Sequence, residues 1–234
     1  MANTRFNPTA NGILHLGHLF TLLVNEYIAH TTGGKFYVRF DDQNTLTSRF
    51  PVEKLSMILH SQMEDIKWLG LEVDGWMWQS ALLPDVREQI IDGGYKVFPD
   101  VRQDDHKIPY FIRMTTDWVA FPYVCQQTAE RVIMDHAIGV THVIRGDDFA
   151  TEYALYCYFC QLFDYPIPEF VFLPRVSSVS GDISKSHGGY KISTFREEGY
   201  SSEKLKRLMI DACLYYPNNG WELYNIKPNP RLSI

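Results

Sequence analysis

Two short segments about 170 residues apart carry side chains suited to phosphate chemistry, His15-Leu16-Gly17-His18 and Ile183-Ser184-Lys185-Ser186-His187. An H-x-G-H tetrad where a strand gives way to a helix suits a nucleotide. Gly17 lets the backbone come close, and the two imidazoles can donate hydrogen bonds to developing negative charge. Ser184-Lys185-Ser186, flanked by glycines, puts an ammonium on a loop that can swing onto the same phosphates. Alone, the tetrad is most simply a helix start with an incidental histidine. Together the two segments outline a site that transfers an adenylyl group from ATP.

The elements around them fit that use. Thr4 to Thr9 reads as a short strand running into a turn. Leu16, Leu19, Phe20, Leu23 and Tyr27 recur at helical spacing, Gly33-Gly34 ends the helix, and Lys35 to Phe40 reads as the next strand. Strand, phosphate-binding turn, helix and strand make the first unit of a Rossmann-like sheet, whose ligands sit at the carboxyl ends of the strands. Leu55, Ile58, Leu59, Met63, Ile66 and Leu69 trace a second helical face, with a cap at Ser48 to Pro51 and a stop at Gly70. Val86 and Ile90 suggest a helix ending at Gly93-Gly94. From Tyr95 to Phe121 periodicity is poor, so this stretch reads as a connecting insertion. His142 to Arg145 resumes the sheet, an apolar run from Glu152 to Phe163 covers it, and Phe170 to Leu173 is a further strand. Ser201 caps a last helix with Leu205, Leu208, Met209 and Cys213 inward.

The same order of segments resembles the catalytic domain of glutamyl-tRNA synthetases, in the class I glutamyl/glutaminyl group. The resemblance is carried by Thr4-Arg5-Phe6-Asn7-Pro8-Thr9 with His15-Leu16-Gly17-His18, by Arg39-Phe40-Asp41-Asp42, by Trp68 to Asp74, by Thr141 to Asp148, and by the lysine segment. It implies an α/β fold, a Rossmann-like parallel sheet interrupted by a connecting insertion that is shorter here than in the family. The expected layout is a first half over 1–94, a short insertion and return over 95–135, a second half with the lysine loop over 136–200, and a helix and tail over 201–234. It further implies ATP-dependent activation of L-glutamate and transfer to tRNA. Alternative acceptors are a carrier protein, a small amine or a modified tRNA base, and a non-catalytic paralogue is the remote alternative.

Roles follow residue by residue. His15, Gly17 and His18 serve the phosphate and ribose region, Lys185 the leaving pyrophosphate, and Ser184 and Ser186 the loop. Arg5 and Arg145 match positions that hold glutamate, and a guanidinium suits a bidentate grip on a carboxylate. Thr9 keeps the hydroxyl of a pocket serine. Asp41 matches an acidic residue that receives the substrate ammonium, with a reach one methylene shorter than the usual glutamate. The pocket tyrosine has no counterpart in register, where Gln127 stands, and Asn44 replaces an aspartate. Arg39 and Arg49 read as surface ion pairs. Mg2+ is expected to arrive with the nucleotide.

Composition bounds the rest. With 234 residues, 45% hydrophobic and 21% charged, the chain can bury a real core. Neither an apolar stretch long enough for a membrane span nor a secretory signal is visible, so a cytoplasmic monomer with no membrane partner is expected. A net charge of −6 argues against a dedicated nucleic-acid binder. The late cluster Lys204, Lys206, Arg207, Lys227 and Arg231 reads as a solvated face and tail. Contact with tRNA is therefore expected to be weak and centred on the acceptor end, with no anticodon-binding domain. Cys157 and Cys160 form a C-x-x-C inside an apolar run and read as core thiols. Residues 93 to 124 hold no cysteine, so no zinc knot is expected.

Overall fold

The computed structural model describes residues 1–42, 52–92, 110–114, 117–121, 123–146, 149–173, 177–178, 181–182 and 190–214. Strand β1 (Thr4–Phe6) pairs in parallel with β2 (Phe36–Phe40), with Arg5 opposite Tyr37, and helix α1 (Leu16–Thr31) makes the crossover. Leu19, Phe20, Leu22 and Ala29 of α1 are buried, whereas Tyr27, expected on that face, is exposed. The buried stripe is rotated because α1 packs on the sheet and also on the helix over Ser202–Leu214. Gly33 ends α1 in the left-handed region at φ 72°. The neighbouring Gly34 is needed for a different reason: a Cβ there would stand 2.0 Å from the carbonyl oxygen of Ala2.

Helix α2 (Val52–Trp68) leads to β3 (Gly75–Trp78), parallel to β2, and to α3 (Gln79–Asp92). The stop at Gly70 is observed, in the left-handed region at φ 65°. Strand β3 carries no apolar run to announce it: in Gly-Trp-Met-Trp the two tryptophans share the more exposed face and stack on Phe40. The segment read as an irregular insertion holds an antiparallel hairpin, β4 (Tyr110–Met114) with β5 (Asp117–Phe121), followed by a full helix α4 (Tyr123–Ala137). Helix α4 escaped the sequence reading because its buried face mixes Ala129, Val132 and Ile133 with Thr128, Glu130 and Asp135, which dilutes the apolar period.

The second half is β6 (His142–Gly146), α5 (Ala150–Leu162) and β7 (Glu169–Leu173), with β6 and β7 parallel. The two pieces of sheet meet where Thr141 and His142 donate backbone hydrogen bonds to the Asn3 carbonyl at 3.0 and 3.1 Å, so β1 and β6 start side by side. The spatial order is therefore β3-β2-β1 and then β6-β7, with the direction of winding reversing between β1 and β6. A crevice at the carboxyl ends of those two strands is where such a sheet binds its ligand. A small hairpin follows, β8 (Ser177–Ser178) with β9 (Gly181–Asp182), then α6 (Ile192–Glu197) and α7 (Ser202–Leu214). Ser201 caps α7 as expected, its Oγ accepting from the Lys204 amide at 3.2 Å. One core joins both halves through Phe36, Val38, Ile144, Leu173, Ile192 and Phe195. Among the described residues no helix is long and apolar enough to cross a membrane.

Candidate active site

The histidines of H-x-G-H build the first turn of α1. His15 is the N-cap, with extended backbone, and its Nδ1 accepts from the Gly17 amide at 3.1 Å. His18 reaches back so that its Nδ1 accepts from the His15 amide at 3.2 Å. Two of the four amides left over at a helix start are thereby satisfied by imidazoles where serine and glutamate usually serve. The rings lie 3.9 Å apart between centroids, and His18 packs edge-on against Phe6. Burial, and then the neighbouring His15, push the His18 pKa down to about 3. An Nδ1 that accepts leaves the ring proton of a neutral imidazole on Nε2, so both rings carry their N–H at Nε2, at a helix N-terminus with no acidic residue in its first turn. That chemistry fits phosphate oxygens.

Gly17 has a second use. A Cβ there would meet the His15 ring at 3.0–3.1 Å, so the missing side chain accommodates the cap itself. The chain on either side of the histidine corner is pinned to the far end of the sequence. Leu16 donates to the Tyr190 carbonyl at 3.1 Å and Ile192 donates to the Leu14 carbonyl at 3.0 Å, a bridge that pairs His15 with Lys191. Residues 190–192, which follow the lysine segment by three to five positions, thus lie beside H-x-G-H. Ser184, Lys185 and Ser186 themselves lie outside the described residues, as do Asn44 and Arg49.

The turn after β1 is clamped from two sides. Gln62 of α2, fully enclosed, donates to the carbonyls of Thr9 and Gly12 at 2.8 and 2.7 Å. The Asp41 amide donates to the Pro8 carbonyl at 2.9 Å, and Thr9 bridges Asp41 in parallel fashion. Thr9 and Asp41 therefore stand together at the carboxyl ends of β1 and β2, as the sequence reading paired them.

Arg5 is buried, and its Nε and Nη2 both donate to the Asp135 carboxylate at 3.0 Å. Arg39 corrects the sequence reading: it is not a surface ion pair but fully buried, with Nη1 2.8 Å from Asp135 and Nε on Asn7 at 3.0 Å. Tyr156 of α5 donates to the same carboxylate at 2.9 Å. Burial works against the Asp135 charge, yet Arg5 and Arg39 more than offset it and hold the carboxyl well below its usual range. Asp135, Arg39 and Tyr156 are the members that motif reading missed. Asp135 and Tyr156 have no local signature, and Arg39, though it opens the Arg39-Phe40-Asp41-Asp42 segment, has its role fixed only by its neighbours in space.

Arg145 lies at the carboxyl end of β6, its guanidinium stacked 3.4 Å above the Phe149 ring. Burial, followed by the charges of Arg131 and Arg5, lowers its pKa well below the usual arginine value. Arg39 is lowered too, by burial first and then by Arg5 and Arg131 against the pull of Asp135. Guanidiniums remain protonated in proteins, so these positive charges repel one another across the site. Among the described residues, four guanidiniums (Arg5, Arg39, Arg131 and Arg145) act together with two carboxylates, Asp135 and Glu152. Around the carboxyl end of β6 the described residues of this network thus carry more guanidiniums than carboxylates.

A parallel sheet that changes winding direction between β1 and β6, with a histidine cap and a cluster of guanidiniums toward its carboxyl ends, has the architecture of a class I synthetase domain. The chain belongs to the family described as tRNA synthetases class I (E and Q), catalytic domain, whose profile matches residues 1–131 and 128–215. It is 26% identical to a glutamate–tRNA ligase of Caulobacter vibrioides over 93% of this chain and 56% of that protein. The chain thus spans a little over half the length of such relatives. Two solved structures share the fold. A glutamate tRNA ligase from Elizabethkingia meningosepticum in complex with its amino acid superposes with TM-score 0.62 at 20% identity, covering 90% of this chain and 60% of the other. A tyrosyl-tRNA synthetase from Archaeoglobus fulgidus superposes with TM-score 0.60 at 18% identity, covering 81% and 60%.

Proposed function

We propose that this domain activates glutamate with ATP and passes it to tRNA. The observation that carries the reading is that the histidine cap of α1, just after β1, and the Arg145 guanidinium, at the end of β6, both stand at the carboxyl side of one parallel sheet. A carboxylate is a poor electrophile, and attack of its oxygen on the α-phosphorus of ATP makes it a mixed anhydride while pyrophosphate leaves. Because the carboxylate is already ionised, no protein base is required. What the protein must supply is position and fixed dipoles for the growing phosphate charge.

In this reading the Nε2–H groups of His15 and His18, with the amide of Gly17 nearby, face the phosphates and ribose. Lys185 stabilises the departing pyrophosphate, and Ser184 and Ser186 support its loop. Mg2+ accompanies the nucleotide and shields its charge. Arg145, with Arg5 beneath it, attracts a substrate carboxylate, while Thr9 and Asp41 meet the ammonium end. The acceptor contact centres on the tRNA acceptor end and is weak, because a net charge of −6 opposes phosphate binding. The protein acts as a cytoplasmic monomer.

Pyrophosphate exchange with each amino acid, with and without tRNA, tests the reading. Glutamate-dependent exchange is expected, and Lys185→Ala should lower its rate ~100- to 1,000-fold with little change in ATP affinity. Exchange with glutamine or neutral amino acids but not glutamate overturns the substrate assignment. Active exchange with no tRNA charged would move the acceptor to a carrier or small amine.

A further inference from the structure

Helices α4 and α5 are joined by two rungs at one-turn spacing. Asp135 of α4 meets Tyr156 of α5, and four residues earlier on each helix Arg131 meets Glu152 at 3.0 Å. Residues four apart share a helix face, so the rungs lie one above the other. Their depths differ: the side chain of Asp135 is 2% exposed, whereas Arg131 and Glu152 are 17% and 34% exposed.

Chain direction says which way the ladder points. Helix α4 leads into the start of β6 and α5 begins just after its end. Both helices therefore run antiparallel to the strand, and their early residues lie toward its carboxyl end. The Arg131–Glu152 rung is thus one turn nearer the ligand edge of the sheet than Asp135. It is also within electrostatic range of Arg145 and Arg39. One turn earlier on α4 stands Gln127, half-buried, where the resembled pocket has an aromatic hydroxyl.

The geometry points to Arg131 as a specificity-determining residue: it grips the distal carboxylate of a dicarboxylic amino acid together with Arg145, taking that carboxylate in exchange for Glu152. This rests on the glutamate reading above. Glu152 is the internal carboxylate that occupies the guanidinium when no substrate is present, and its exposure gives it water to turn into. Arg5 and Arg39 are committed to Asp135 and cannot make the same exchange without uncovering a buried charge. Arg131 can, because both members of its rung are partly solvated. A neutral amide in place of the distal carboxylate leaves Glu152 where it is, and discrimination against glutamine follows.

Calorimetric titration of the whole chain with glutamate, glutamine and aspartate tests this on binding alone. The wild type is expected to favour glutamate. Arg131→Gln should weaken glutamate ~10- to 100-fold while leaving glutamine little changed. Glu152→Gln should strengthen glutamate ~3-fold, since it removes the internal competitor. The opposite signs are the point: a rung that merely holds two helices together loses in both variants. Equal weakening by both substitutions, or an unchanged glutamate-to-glutamine ratio in Arg131→Gln, overturns the assignment of Arg131 alone. A wild type that favours glutamine over both acids overturns the glutamate reading and this inference with it. A thermal midpoint on each variant identifies any loss of fold, and strengthening by Glu152→Gln cannot arise from one.

Discussion

Asp135 on α4 and Asp65 on α2 are both shut away from water, yet burial acts on them with opposite results. Asp135 accepts from Arg5 and Tyr156 and lies against Arg39, and its pKa is held down. Asp65 is equally enclosed, and neither of its oxygens accepts a hydrogen bond from a described residue. Its charged neighbour is Arg196 of α6, with Nη2 3.5 Å from Oδ1. Burial accordingly raises the Asp65 pKa to about 6, with Arg196 pulling the other way and Glu197 and Glu64 adding to the rise. Burial alone decides little; the number and geometry of donors decide whether a buried carboxylate stabilises the fold or strains it.

Substitution should separate the two. Asp135→Asn removes the anion that Arg5 and Arg39 share, leaving two buried guanidiniums without it. A loss of about 3–5 kcal/mol is expected in urea unfolding, with glutamate-dependent exchange lost as well. A loss below about 1 kcal/mol would mean that the network is not what fastens α4 to β1 and β2. Tyr156→Phe deletes one donor and keeps both arginines, so it moves Asp135 part of the way toward the condition of Asp65. It should cost about 1.5–3 kcal/mol, read in the same way.

Asp65→Asn is expected to go in the other direction and stabilise the protein by about 1–2 kcal/mol at neutral pH. The pH dependence fixes the sign. Between about pH 4 and 6 the folded chain keeps a proton on Asp65 that the unfolded chain has released. Stability from this group therefore falls as pH rises through that window and levels off above about 6. The gain of Asp65→Asn over wild type should accordingly grow from pH 4 to pH 6.5 and then stay constant. A constant or shrinking gain would show that Asp65 titrates normally. For Asp135 the folded pKa is depressed, so its contribution is complete above about pH 4 and declines as the unfolded carboxylate takes up protons. The smallest effect is expected of Gly17→Ala. The new methyl group must displace the His15 ring, and a change in stability of about 1 kcal/mol or less should accompany a measurable drop in exchange rate.

How much of this could be read from the sequence depended on how locally each feature is encoded. The α1 cap occupies four consecutive residues, and its position was plain from the strand, turn and helix around it. Strands β2, β6 and β7 announced themselves by apolar runs, and Ser201 by its place before a periodic helix. The arginine network is the opposite case. Arg5 was found through its motif, but Arg39 read as a surface residue because an arginine in an apolar strand is costly without a partner, and Asp135 lies 96 positions away. Helix α4 was hidden by the same cause, since the polar groups that serve the site break its apolar stripe. The lysine segment has a motif but lies outside the described residues; the bridge between Leu14–Leu16 and Tyr190–Ile192 concerns the chain that follows it.

The histidine cap has a consequence for how the protein meets acid. A proton bound for His18 Nδ1 must evict the His15 amide, so charging the ring unwinds the start of α1. With a pKa of about 3, the imidazole is an uncharged dipole throughout the range where histidines ordinarily switch. No acidic limb near pH 6.5 from His18 should therefore mark the rate profile of the chemical step. The unfolded chain, by contrast, protonates that ring below about pH 6.5, so conformational stability is drawn down on acidification while the donor geometry stays unchanged in every molecule still folded.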